Sequence, residues 1–327
     1  MIAMNKSTEI VVAVILVILV AGGGYGIYHF ESKSSGQIIT ISTGDNLTAP
    51  LTRIVSLDPA ATATLYALGA YKYLVGGNSY DSYPPNEKIP NVTDYPSMDI
   101  SQILNLTPQA VISFTNYSSS QIKELLDAGI DYVFISSGSN TGFNTIEKQD
   151  TLLGELTGTE HNATILNTWI NSSISDLRSA AIGFDKTEFN GTPINGFYYL
   201  DSSGGIWTSG NTTFINSYFN ISDINNIAAP YDNGFYTISS GEVADHAPRV
   251  IFLDQYVSTS AVNTPPFASS PAVKNNSVFT VPSDSIFNEP NFRDIFAVQW
   301  MIDKTYNQEP AIPELSLNLS YNPNPAE

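Results

Sequence analysis

A chain of 327 residues with a net charge of −18 at pH 7 repels nucleic acid and anionic lipid surfaces, so neither is an expected partner. It holds no cysteine, which excludes disulfides, metal thiolates, a thiol nucleophile and a lipid anchor on cysteine. Its three histidines, His29, His161 and His246, lie far apart, so an imidazole-rich transition-metal site is not expected.

The first element is an apolar run. Ten of the eleven residues from Ile10 to Val20 are Ile, Leu or Val, and uncharged sequence continues to Tyr28. About 19 residues of helix reach roughly 28 Å, the thickness of a bilayer core. Residues 1–30 are therefore expected to form an N-terminal transmembrane helix that stays as an anchor. The rival is a cleaved secretory signal, whose apolar core is usually shorter, about 7–15 residues. The expected location is the cell membrane, single-pass, with the bulk of the chain extracellular. Eleven Asn-x-Ser/Thr sequons from Asn46 to Asn318 fit a glycoprotein on that side. The acidic charge then reads as a solvated shell.

Residues 31–50 read as a polar tether followed by a short strand at Gln37–Ser42. An α/β alternation then fills residues 51–142. Arg53–Leu57 is a buried strand, Asp58-Pro59 a turn, and Thr62–Leu68 a helix stopped by Gly69. Tyr73–Gly76, Ala110–Phe114 and Ile130–Ser136 are strands, with helices at Ile100–Leu104 and Ser120–Ala128. Residues 143–188 are helical. Ile146–Leu156 precedes one long amphipathic helix over about 160–184, with Leu166, Trp169, Ile170, Ile174, Leu177 and Ala181 at spacings of three and four. The α/β pattern returns over 189–308, with strands at Ile194–Leu200 and Arg249–Asp254. Helices follow the pattern at Thr213–Phe219 and Gly241–His246, and Asn291–Tyr306 closes it. The Pro/Asn-rich residues 309–327 read as a loose tail. The fold class is α/β: two Rossmann-like lobes joined by one long α-helix, preceded by a transmembrane helix.

No phosphate-binding Gly-x-x-x-x-Gly-Lys loop and no Gly-x-Ser-x-Gly elbow occurs, and no nucleophile–base pair is visible, so an enzyme is not expected. Aromatic and amide side chains are abundant instead. Tyr80, Tyr83, Tyr95, Phe114, Asn116, Tyr117, Trp207, Phe235 and Tyr236 fall just after strands or in loops at the lobe edges. Open α/β sheets bind ligands outside the carboxyl ends of their strands, and aromatic walls suit a large, partly apolar ligand.

Three stretches carry a resemblance. Arg53–Gly69 reads RIVSLDPAATATLYALG, residues 74–85 read LVGGNSYDSYPP, and residues 100–112 read ISQILNLTPQAVI. These, with Trp207-Thr-Ser-Gly210, Ala247–Leu253 and Pro271–Val281, resemble the cobalamin- and ferric-siderophore-binding family, the solute-binding proteins of ABC importers. The resemblance covers about Gln37 to Tyr306. It implies two lobes bridged by a rigid helix, with a ligand held between them. By position, Pro59, Ala60, Tyr80, Tyr83, Tyr95, Phe114 and Asn116 would face that ligand from the first lobe. Trp207, Phe235, Tyr236 and Arg293 would face it from the second, with Arg293 set to pair with an anionic group. The implied partners are an ABC permease and its ATPase, and the implied ligand is an iron–siderophore, haem-like or corrinoid molecule. No cofactor is implied. The family docks through one exposed Glu on each lobe. Here those positions hold Ser119 and Gly241, so Glu124 and Glu242 stand in as neighbours. The family's lipid-bearing cysteine is absent, and the apolar helix would replace it. Competing readings are a metal-cation receptor of the related cluster, a secreted α/β hydrolase, and a cell-surface adhesion module.

Overall fold

The computed structural model describes residues 37–40, 46–85, 88–92, 97–115, 117–135 and 142–324. The apolar run and its tether lie outside these residues. Among the described residues no helix is long and apolar enough to cross a membrane.

The chain enters through an antiparallel ribbon, β1 (Gln37–Thr40) with β2 (Asn46–Ala49). Leu47 and Ala49 alternate into the core from β2. The first sheet follows: β3 (Ile54–Ser56), α1 (Pro59–Ala67), β4 (Leu74–Gly76), α2 (Ile100–Leu106), β5 (Ala110–Ser113), α3 (Ser119–Asp127) and β6 (Asp131–Phe134). All four strands are parallel in the order β4-β3-β5-β6. Every residue of β3 and β5 is buried, as a parallel sheet covered on both faces requires.

Two helices come next, α4 (Phe143–Thr157) and α5 (Glu160–Glu188). They touch closely at Gly154, where an added Cβ would lie 2.7 Å from the Ala163 Cβ. The long helix runs past Gly183, which meets nothing within 4 Å; lacking neighbours, that glycine costs only its propensity, about 1 kcal/mol. The stop falls at Asn190 and Gly191, both with positive φ (58° and 72°).

The second half holds β7 (Ile194–Tyr199), β8 (Ile206–Ser209), α6 (Phe214–Ile221), β9 (Ile224–Asn226), β10 (Phe235–Ile238), α7 (Ser240–His246) and β11 (Val250–Leu253). It ends with α8 (Pro271–Lys274), β12 (Val278–Thr280), α9 (Asp284–Phe287) and α10 (Asp294–Tyr306). Its parallel sheet has the order β12-β11-β7-β9, while β8 and β10 form a separate antiparallel ribbon. Counted in chain order within each half, both sheets run second, first, third, fourth.

The halves also repeat a local device. Helices α2 and α7 each end on a left-handed residue that is not glycine, Thr107 (φ 47°) or Ala247 (φ 43°), followed by proline and then the third strand. In each case a residue at the amino-terminal end of the first strand, Arg53 just before β3 and Asn195 second in β7, donates to the helix end. Arg53 Nε donates to Thr107 O at 3.1 Å, and Asn195 Nδ2 donates to His246 O at 2.7 Å. These bonds satisfy carbonyls that a helix end leaves without partners.

The rod is not the only bridge. One apolar cluster runs from Ile54, Leu65 and Ile112 through Trp169 and Leu177 to Val250, Phe252 and Met301. The tail corrects the expectation of a loose end. Residues Leu315, Leu317, Leu319 and Tyr321 alternate inward, packed against this core, while Ser316, Asn318 and Ser320 stay exposed. Trp169 Nε1 donates to Pro313 O at 2.8 Å, and Gln299 Nε2 to Pro310 O at 2.9 Å. Farther on, Ser320 N donates to Tyr66 Oη at 3.0 Å, and Tyr83 Oη to Tyr321 O at 3.1 Å. The tail is a strap across both halves. Its Pro and Asn content masks a period-two apolar pattern, which is what seats it.

Two carboxyls lie inside the junction. Asp150 of α4 is buried, accepts from Thr64 Oγ1 at 3.2 Å, and is pushed up to about 8, chiefly by burial. Burial also pushes Asp294, in the first turn of α10, well above the carboxylate range, and the charge of Asp150 adds to the shift.

Two outcomes follow for stability. Ending the chain after Gln308 removes the strap's apolar contacts and the acceptors of Trp169 and Gln299, and should lower unfolding free energy by about 3–6 kcal/mol. Denaturant melts of the two lengths measure this, and equal midpoints would contradict it. Asp150 holds its proton more tightly folded (about 8) than unfolded (3.8), so its contribution is complete below about pH 4 and is lost as pH rises towards 8. The melting temperature should therefore fall between pH 5 and pH 8, and Asp150→Asn should flatten that fall. A profile that rises over the same range, or an unchanged slope in the variant, counts against the assignment.

Candidate functional site

In both sheets the first and third strands lie side by side where the strand order reverses. A cavity of about 480 Å³ lies beyond the carboxyl ends of β3, β4 and β5 in the first sheet and of β11 and β12 in the second. Its first wall holds Asp58, Pro59 and Ala60 after β3, Asn78, Tyr80 and Ser82 after β4, and Phe114 after β5. The opposite wall follows β11 and β12: Gln255 and Tyr256, then Ser283, Asp284, Ser285, Asn288, Glu289 and Pro290.

Local turn chemistry sets each wall. Asp58 caps α1, its Oδ1 accepting from Ala60 N at 2.9 Å, and Pro59 takes the first helical position. Asn78 Nδ2 donates to Leu57 O at 3.0 Å, and its Oδ1 accepts from Tyr80 N at 2.7 Å. Asp81 Oδ2 accepts from Asn78 N at 2.8 Å. The second wall uses the same turn: Asp254 Oδ1 accepts from Tyr256 N at 3.0 Å. Each turn throws a tyrosine outward. Tyr80 is 60 % exposed and Tyr256 is 78 % exposed, values unusual for rings of this size.

Four of the expected ligand residues line the cavity: Pro59, Ala60, Tyr80 and Phe114. Tyr83 and Arg293 do not. They are only 4 % and 3 % exposed and lie behind the wall, the guanidinium 4.6 Å from the centre of the Tyr83 ring. Arg293 Nε donates to Pro323 O at 3.0 Å and Nη2 to Ser285 Oγ at 3.3 Å, so the strap takes donors that an anionic ligand was expected to take. Trp207, Phe235 and Tyr236 are also absent from the lining, because they are strand residues of the β8/β10 ribbon with committed side chains. Trp207 Nε1 donates to Ser203 O at 3.1 Å, Phe235 meets Phe214 edge-on at 5.8 Å, and Tyr236 Oη donates to Ala228 O at 2.8 Å. Tyr95 and Asn116 lie outside the described residues.

Of the docking candidates, Glu124 is exposed on α3. Glu242 is half-buried and closes the capping box of α7, accepting from Ser239 N at 2.9 Å, and that bond lowers its pKa. Asp58, Tyr256, Asp284 and Glu289 are cavity residues that the sequence reading does not include. A signal for Tyr256 exists: Asp254-Gln255-Tyr256 follows β11 as Asp58-Pro59-Ala60 follows β3.

The site is acidic. Burial pushes Asp58 up to about 7, against the Ala60 and Ala61 N–H groups, and Asp81 raises it further. Burial likewise pushes Asp81 up to about 6 and Glu289 well above the carboxylate range. Arg293 opposes the Glu289 shift, while Asp284, Asp58 and Asp81 reinforce it. Asp58 Oδ2 and Glu289 Oε2 are buried with no hydrogen-bond partner. Among the described residues no group of three or more His, Cys, Asp or Glu is placed to hold a metal ion.

Two ring-bearing turns, a capped helix end and an acidic floor meet at this cavity. Known solute-binding proteins share this chain's sequence pattern and fold. An uncharacterized ABC transporter substrate-binding lipoprotein of Bacillus subtilis, YvrC, is 27 % identical over 297 residues, 86 % of this chain and 92 % of that protein. Two solved structures share the fold. The vitamin B12-binding protein BtuF of Vibrio cholerae is 23 % identical with a TM-score of 0.63, over 78 % of this chain and 96 % of its own. A periplasmic heme-binding protein of Pseudomonas aeruginosa is 17 % identical with a TM-score of 0.69, over 81 % and 96 %. The periplasmic binding protein family matches residues 54–285, and with that match spanning both sheets and the helix between them, the chain belongs to this family.

Proposed function

We propose that this chain is the extracellular substrate-binding component of an ABC importer. It captures a bulky metal chelate or corrinoid between its halves and hands it to a permease driven by an ATPase. The observation that carries the reading is the pair Tyr80 and Tyr256, two exposed rings on matching turns at opposite walls of one cavity. Large flat ligands gain most from such rings, because an aromatic wall buries wide apolar area at little entropic cost. The names of the relatives, which bind vitamin B12 or heme, support the same ligand size. A cavity of about 480 Å³ takes one face of such a ligand and leaves the rest at the open mouth. Substrate-binding lipoproteins are held at a membrane, and here the apolar run of residues 10–28 would serve as the tether in a chain without cysteine. Glu124, exposed on α3, is the stronger docking candidate; the Glu242 carboxylate also serves α7.

Release to the permease requires modest motion only. The continuous core and the strap resist a wide hinge, so opening is expected as a small tilt of one sheet against the other.

The test is a titration of the protein with cyanocobalamin, a ferric hydroxamate and haem, followed by intrinsic fluorescence. At least one should bind at micromolar level or tighter, and silence from all three would remove the ligand class. Tyr80→Ala and Tyr256→Ala should each weaken binding by about 1–3 kcal/mol without altering the melting temperature. Trp207→Ala should leave affinity unchanged; a loss there would move the site to the β8/β10 ribbon.

A further inference from the structure

We infer that the cleft is built to take a neutral or cationic ligand face that donates hydrogen bonds, and to turn away ligands carrying several negative charges. The inference rests on the substrate-binding reading above and narrows it from a size class to a charge class. It starts from the polar atoms on the two walls. Asp58 and Glu289 line the cavity on opposite walls, one from each half, and each keeps a carboxyl oxygen buried with no partner. Asp284 joins them on the second wall, and Asp81 stands behind Asp58 with its own unpartnered Oδ1. Buried acceptors without donors cost about 1–3 kcal/mol each, and a ligand that brings N–H groups recovers that cost.

No positive counterpart is present for an anion. Among the described residues lining the cavity there is no Lys, Arg or His. The N-terminus of α1 is a favourable end for negative charge, but the Asp58 carboxyl already sits on it. Arg293 is the nearby cation. It lies behind the wall, with Nε on the strap, Nη2 on Ser285 and its plane on Tyr83; Nη1 has no partner, yet the residue does not line the cavity. One guanidinium set against Asp58, Asp81, Asp284 and Glu289 leaves the gap negative once they ionise.

Burial raises Asp58 to about 7 and lifts Glu289 above its ordinary range, so the empty cleft holds protons near neutrality. A cation or N–H donor entering favours the ionised, accepting forms and releases those protons, whereas an anion with several charges is repelled by every carboxyl that has ionised and must hold the others protonated.

The test uses the full chain at pH 7.5 and four probes: ferrioxamine B (a monocationic ferric hydroxamate), cyanocobalamin (rimmed with neutral amides), haem and ferric enterobactin (a trianionic tris-catecholate). The first pair should bind at least about 10-fold more tightly than the second, and calorimetry in two buffers of different ionisation enthalpy should show proton release with ferrioxamine B. Asp58→Asn with Glu289→Gln should shrink that preference at least about 10-fold. Asn still caps α1, and if the double variant melts early, Asp284→Asn on the more open wall carries the same comparison with a smaller expected shift. A preference for haem or enterobactin, or a preference that survives these variants unchanged, overturns the inference while leaving the substrate-binding reading intact. Failure of all four probes to bind overturns both.

Discussion

An arginine cannot shed its charge by losing a proton, so a buried one dictates its surroundings. Arg293 sits between the halves at the start of α10, and its neighbours follow from that constraint. It needs acceptors, and the strap brings Pro323 O while the cleft wall brings Ser285 Oγ. It needs a face to lie on, and Tyr83 offers its ring. Tyr83 is held in turn by Tyr66 at 5.2 Å, by Phe292 at 6.3 Å and by its own bond to Tyr321 O. Taking these partners away would leave a buried charge with less to compensate it, which costs more than each contact contributes. The strap, the closing helix and the first sheet are therefore tied at one point directly behind the cavity. A tail that floated free would take away one of the guanidinium's two hydrogen-bond acceptors.

That knot separates what was legible in the sequence from what was not. The strand–Pro–helix opening at 53–69, the long helix and the third strands with their preceding prolines could be read because each is local: a buried run, a cap and a period of 3.6. Pro59, Ala60, Tyr80 and Phe114 reach the cavity for the same reason, being residues that follow the ends of β3, β4 and β5. Tyr83 and Arg293 carry the right chemistry for a ligand, yet they are spent on each other and on residues more than two hundred or about thirty positions away. No window of sequence shows such a contact. Trp207, Phe235 and Tyr236 fail differently. Among the described residues after β3 in the first half the β8/β10 ribbon has no counterpart, so counting loops after strands assigns these rings to a wall they do not form. The strap shows a third kind of miss, in which composition hides periodicity: Leu315, Leu317, Leu319 and Tyr321 alternate cleanly among prolines and asparagines.

The same geometry links stiffness to recognition. The apolar cluster passes from one sheet to the other through α5 and α10, and the strap crosses on top of it. Two walls held at nearly fixed spacing are preorganised, which lowers the ordering cost of gripping a ligand. The two exposed tyrosines are the exception to this rigidity, since each ring is anchored only through the backbone turn beneath it. A rigid frame with two free-standing rings can adapt at the contact while the frame stays put.

The carboxyls are the feature that stability alone does not account for. Asn in place of Asp58 would still cap α1, and an apolar residue in place of Glu289 would carry no desolvation penalty; either change would relieve a buried group that now lacks a partner. Unpaired polar atoms of this kind weaken a fold, and they persist where something outside the fold completes them. The deeper pair, Asp150 and Asp294, also keeps one buried oxygen each without a partner, but both are enclosed, and Asp150 holds a hydrogen bond from Thr64. Asp58 and Glu289 differ because they border an open cavity. Their cost is incurred in the empty protein and recovered when donors arrive, which makes the acidic floor part of how the ligand is chosen.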